Sequence, residues 1–128
     1  MLEKNHLQTT IAAWCQRLSA DMQRVENSVG PGTPDMNICF MGGREVWVET
    51  KIESRDGVMQ IRPEQRAWHV RRRQRGARCF FVSRFMEEFR FYIMSTTEPC
   101  IPLHKATIMQ REKDAHVLFQ HILCDKTL

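Results

Sequence analysis

Two runs of alternating apolar and polar residues, Met36 to Met41 and Glu45 to Ile52, flank Gly42-Gly43. This pattern predicts a β-hairpin and constrains the fold more than any other feature of the chain. Strand side chains alternate faces, so the length of the hairpin loop decides which residues meet. A two-residue loop at Gly42-Gly43 pairs Met41 with Arg44 and Met36 with Glu49, which sends Asp35 and Glu49 to opposite faces. A three-residue loop of Met41, Gly42 and Gly43 pairs Phe40 with Arg44 and Asp35 with Glu49, with Gly43 in the left-handed conformation such loops need. Only the second register separates the side chains cleanly. Met36, Ile38, Phe40, Val46 and Val48 then form a core face; Asp35, Asn37, Trp47, Glu49 and Lys51 form a polar, functional one.

The rest of the chain builds outward from this hairpin. Leu7, Ile11, Trp14, Cys15, Leu18, Met22 and Val25 recur at three- and four-residue steps, predicting an amphipathic helix from about Glu3 to about Glu26. Gly30-Pro31-Gly32-Thr33-Pro34 breaks it. After a polar excursion with a turn at Asp56-Gly57, Pro63 is placed to open a helix and Gly76 to end it. Arg78 to Phe85 reads as a strand buried on both faces, and Phe89 to Met94 as a further strand. A break at Glu98 to Pro102 precedes a final helix from about His104. The order α-β-β-α-β-β plus a C-terminal helix predicts one α/β domain over residues 1–128, a mixed sheet with flanking helices. A right-handed crossover joins its two parallel strands.

Charge is concentrated rather than large. The net charge is +4, yet seven arginines lie between Arg62 and Arg78. Arg62, Arg66, Arg72, Arg73 and Arg75 are the candidate contacts to a phosphate backbone. The bland alternative is a solvated helix face. Five scattered cysteines without a C-x-x-C pair argue against zinc and against a disulfide framework. No leader or membrane-length apolar stretch is read from the sequence, so the expected address is a reducing cytoplasm.

Pro34-Asp35 and Glu49-Thr50-Lys51 place two carboxylates and one amine on the polar face. Such a set can hold magnesium against a phosphodiester and stabilise the charge that develops as it breaks. With Gly32-Thr33 before it, Val46-Trp47-Val48 leading into Glu49, and Arg62-Pro63-Glu64-Gln65 opening the basic helix, the stretch from Glu26 to Val82 resembles the PD-(D/E)XK nuclease superfamily. Within it the sequence is most similar to the small viral and phage nucleases of the VRR-NUC type and to archaeal-type Holliday junction resolvases. The resemblance implies a restriction-endonuclease-like core, with Asp35, Glu49 and Lys51 catalytic. It also implies the Thr50 backbone carbonyl as a further metal ligand, and a first-helix glutamate completing the shell. Glu26 is preferred to Asp21 for that place. Gln65 is the expected glutamine near the scissile phosphate, with Gln60 as runner-up. His69, one turn after Gln65, is not required by this chemistry and is read as a solvent-exposed or packing histidine.

The function these readings imply is a Mg2+-dependent endonuclease acting on DNA, with Mn2+ able to substitute. The expected substrate is branched DNA, four-way junctions first. A small chain with one site suits a two-fold homodimer. The alternatives are a flap, nicking or restriction-like nuclease of the same fold, or a basic DNA-binding module without catalysis.

Overall fold

The computed structural model describes residues 2–25, 30–57, 59–86, 88–94 and 111–112. Helix α1 (Leu2–Arg17) is followed by strands β1 (Asp21–Arg24), β2 (Met36–Cys39) and β3 (Glu45–Ile52). Helix α2 (Pro63–Arg73) then leads to β4 (Cys79–Phe85), β5 (Glu88–Tyr92) and β6 (Arg111–Glu112). One six-stranded sheet holds them in chain order. Every neighbouring pair is antiparallel except β3 and β4, which are parallel and joined through α2.

The β2–β3 hairpin has the three-residue loop. Met36 pairs with Val48 and Cys39 with Glu45, and the Phe40 amide donates to the Arg44 carbonyl at 2.7 Å. Gly42 and Gly43 both take positive φ, 92° and 83°. The register fixes the two faces. Met36, Ile38, Phe40, Val46 and Val48 join Leu7, Ile11 and Trp14 of α1 and Phe80 and Val82 of β4 in the main core. On the opposite face Phe81, Tyr92, Met59 and Met94 form a smaller core, with Ile61 and Val70 packed against it. The helices therefore cover opposite faces of the sheet.

Two sequence expectations are corrected. The first helix does not run to Glu26: it ends at Arg17, and Asp21–Arg24 pair with β2 as an edge strand. Ser19 takes φ 54°, and the Ala20 amide closes the turn onto the Cys15 carbonyl at 2.8 Å. Leu18, Ala20 and Met22 then pack on the core at a period of two, a strand pattern that the helical spacing of Leu18, Met22 and Val25 masks. Second, Arg111–Glu112 form strand β6 beside β5, where a helix from about His104 is expected. The remainder of that expected helix lies outside the described residues, as does Glu26.

Gly32 locks the loop before β2 to the start of α2. Its φ is +80°, and a Cβ there would stand 2.0 Å from the Glu64 carbonyl oxygen. Neither the backbone angle nor the contact tolerates a side chain. Gly32→Ala should therefore lower stability by at least about 1–3 kcal/mol, the strain of the backbone alone. Denaturant unfolding checks this, and a variant as stable as the parent would refute the packing.

Candidate active site

Asp35 sits one residue before β2, where the chain still belongs to the sheet on one side only. Its carbonyl accepts the Val25 amide at 2.7 Å, extending the β1–β2 ladder. On the β3 side its carboxylate takes over from the backbone: Oδ2 accepts the Thr50 amide at 3.0 Å and the Thr50 hydroxyl at 2.8 Å. Amide and carbonyl of one strand residue point to the same edge. The Thr50 carbonyl is therefore directed toward Asp35, past the end of β2.

Glu49 lies one step along β3 and is 1% exposed. It is close enough to Asp35 for the two carboxyl groups to share a hydrogen bond. Its Oε2 accepts the Gln65 side-chain amide at 3.1 Å. Gln65, in the first turn of α2, also accepts two hydrogen bonds on Oε1, from Lys51 Nζ at 2.9 Å and from the Arg62 amide at 3.1 Å. The helix start, the glutamine and the lysine thus form one chain of contacts. Gln65 holds Glu49 with one end of its amide and Lys51 with the other.

The structure brings Asp35, Glu49, Lys51 and Gln65 together in an open cleft that Arg62 and Gln60 also line, with the fully buried Thr50 bonded to Asp35. Gln60 lies on the wall, whereas Gln65 makes the contacts. The arginines of α2 spread away from this cleft. Arg71, Arg72 and Arg75 are exposed and Arg66 is half-buried. Arg72 lies over the Trp68 ring at 4.7 Å. Arg73 donates to the Cys79 carbonyl at 2.7 Å, which ties the end of α2 to β4. His69 is fully buried and stacks on Phe81 with ring centroids 4.1 Å apart. Burial, then the nearby Arg73 and Lys51, push its pKa down to about 3, so it packs as a neutral ring.

Two solved structures share this architecture. One is described as a VRR_NUC domain: 24% identity, a TM-score of 0.54, and coverage of 62% of this chain and 82% of that one. The other is Hjc from Archaeoglobus fulgidus, a Holliday junction resolvase from an archaeal hyperthermophile. Its identity is 17%, its TM-score 0.56, and the coverage 81% of this chain and 93% of that one. The chain has the restriction-endonuclease-like fold. No protein-family model and no curated protein matches it. Among the described residues no helix is long and apolar enough to cross a membrane.

Lys4 is the residue that sequence reasoning missed. Its ammonium stands 3.2 Å from Asp35 Oδ2 and 3.5 Å from Glu49 Oε2. Gln8, one turn on, donates to the Thr50 hydroxyl at 3.0 Å. A signal exists: Lys4 precedes Leu7 by three, so it continues the stripe of Leu7, Ile11 and Trp14 that buries against the sheet. What the spacing does not show is that this stripe ends over the carboxylates.

The two carboxyl groups are driven apart electrically. Burial raises Glu49, and the neighbouring Asp35 charge raises it further, to about 7. Burial acts against Asp35 too, but Lys4 and the Thr50 hydrogen bonds outweigh it and hold its pKa below the ordinary value. Burial likewise lowers Lys51, partly offset by Glu49. Because Glu49 binds its proton more tightly folded than unfolded, its contribution to stability is greatest below pH 4.5. It falls as pH rises through 7. In metal-free buffer the melting temperature should thus drop from about pH 5 to about pH 8 more steeply for the parent than for Glu49→Gln. Parallel profiles would show that the Glu49 carboxyl is not protonated in the fold.

The donor set fits a hard divalent cation. Two carboxylates and an adjacent carbonyl converge where the fold already places a positive group, and among the described residues no third His, Cys, Asp or Glu joins them. Magnesium accepts such a site because it keeps several waters and completes its shell with substrate oxygens.

Proposed function

We propose that this protein is a magnesium-dependent, structure-selective endodeoxyribonuclease acting on branched DNA, four-way junctions in particular, as a homodimer. The observation that carries the reading is the convergence of Asp35, Glu49 and Lys51 on one end of the sheet, in a cleft open to solvent and held by Gln65. Asp35, Glu49 and the Thr50 carbonyl would hold Mg2+, which when bound supplies Lewis-acid stabilisation of phosphoryl oxygens and lowers the pKa of water.

The chain's own residues account for the rest. Gln65 aims the Lys51 ammonium into the cleft, where it can meet the negative charge that grows on the phosphoryl group. Thr50 fixes Asp35 through two hydrogen bonds, so that carboxylate needs no reorganisation to act. Glu49, whose hold on a proton is strengthened by burial and by the Asp35 charge, serves as a ligand only in its ionised form. A surface evolved only to bind DNA gains nothing from two carboxylates beside the phosphate path, which argues against a non-catalytic module.

Arg62 lies at the rim of the cleft, and Arg66 and Arg72 of α2, with Arg75 just past its end, continue the positive charge; these are the proposed backbone contacts, and Arg73, held by the Cys79 carbonyl, is left out of the set. Such contacts carry no sequence information, so selectivity must come from DNA shape. The test is a binding and cleavage series in Mg2+ on a four-way junction, a flap and a linear duplex of equal length. Preference for the junction should survive scrambling of the arm sequences. On duplex DNA, each neutralised arginine that touches phosphate should reduce the log–log salt slope by about 0.9. Equal affinity and equal cutting on all three substrates would leave a nuclease without junction preference, and no cutting of any would end the enzymatic reading.

A further inference from the structure

Lys4 occupies an unusual place for a helix lysine. Its ammonium bridges the two carboxylates, 3.2 Å from Asp35 and 3.5 Å from Glu49, and its side chain is 37% exposed. The helix that carries it is anchored by Leu7 and Ile11, both fully buried, and by the Gln8–Thr50 hydrogen bond. The backbone is therefore fixed while the long side chain keeps a path to solvent. Lys51 does not share this position, since its ammonium is engaged by Gln65.

A cation held between the Asp35 and Glu49 carboxyl groups would meet the Lys4 ammonium that already contacts both of them. Like charges that close repel, and the oxygens cannot serve both fully. We propose that Lys4 is a built-in counter-ion that competes with divalent metal for the Asp35–Glu49 pair, so that metal loading and release of Lys4 are one event. This rests on the metal site proposed above. In the metal-free protein Lys4 compensates two buried carboxyl groups. On loading, its side chain swings outward while α1 stays docked. The consequence is a weakened affinity for metal, set by one residue outside the ligand set.

Calorimetric titration of the full chain with Mn2+ and with Mg2+, without DNA, tests this. Lys4→Met should bind metal about tenfold more tightly than the parent, within the usual range of coupling between two binding events. Lys4→Arg keeps the charge and should stay close to the parent; it also controls for any effect on folding. Asp35→Asn, included alongside, should lose the binding. If the parent binds metal, Asp35→Asn does not, and Lys4→Met binds no more tightly than the parent, the role of Lys4 is overturned and the metal site stands. If neither the parent nor Lys4→Met binds either ion, or Asp35→Asn binds as well as the parent, the metal site fails and this inference with it; binding by Lys4→Met alone supports the inference.

Discussion

Asp35→Asn and Glu49→Gln are each expected to lower cleavage in Mg2+ by about 10³-fold or more while leaving DNA affinity unchanged or tighter. A bound metal contributes several kcal/mol of transition-state stabilisation, and each 1.36 kcal/mol is a factor of about ten in rate. Binding moves the other way because each substitution removes negative charge from a surface that meets phosphate. Both variants should fold: an asparagine at 35 retains an oxygen to accept from Thr50, and a glutamine at 49 spares the protein a buried carboxyl group. Lys51→Ala should also lose cleavage, yet keep metal binding, which separates the charge-stabilising role from ligation. Single-turnover cleavage and gel-shift measurements decide the matter. An Asp35→Asn protein that cuts at the parental rate would remove Asp35 from the site.

The second large effect is on stability. Glu53 follows β3 and, counting by twos, continues the face of Glu49 and Lys51. Its carboxylate accepts the Tyr92 hydroxyl at 2.8 Å, the Arg90 guanidinium at 2.9 Å and the Ser83 hydroxyl, and its side chain is 1% exposed. The network joins the end of β3 to β4 and β5. Removing one member of a buried pair leaves the other charge uncompensated, at a cost of about 3–5 kcal/mol. Glu53→Ala should therefore lower the melting temperature by roughly 10–20 °C for a chain of this size. A shift of only one or two degrees would mean that water reaches Arg90 and that the network is not closed.

The hairpin register, its loop and the two faces are legible in the sequence, because a period of two leaves a single alternative and the apolar residues exclude it. The carboxylates, Lys51 and Gln65 follow from that register and from the placement of Pro63. Other features are hidden for identifiable reasons. Strand β1 reads as helix because Leu18 and Met22, four positions apart, satisfy both periods; the conformation of Ser19, which no spacing encodes, decides between them. Lys4 and Gln8 reach the site only through the docking of α1, a contact between residues far apart in the chain. Glu53 reads as the start of the polar excursion, and its burial is hidden because its partners Ser83, Arg90 and Tyr92 lie on strands whose pairing no local pattern specifies.

The aromatic residues between α2 and the sheet have a practical consequence. Trp47 of β3 and Trp68 of α2 meet edge to face with centroids 5.5 Å apart, whereas the third tryptophan, Trp14, packs on Phe89 across the sheet. Two of the three indoles thus form a coupled chromophore that exists only while the helix carrying Gln65 is seated. Near-ultraviolet circular dichroism can therefore watch that helix without any added label, and it can do so in the same cuvette in which a substrate or an ion is titrated.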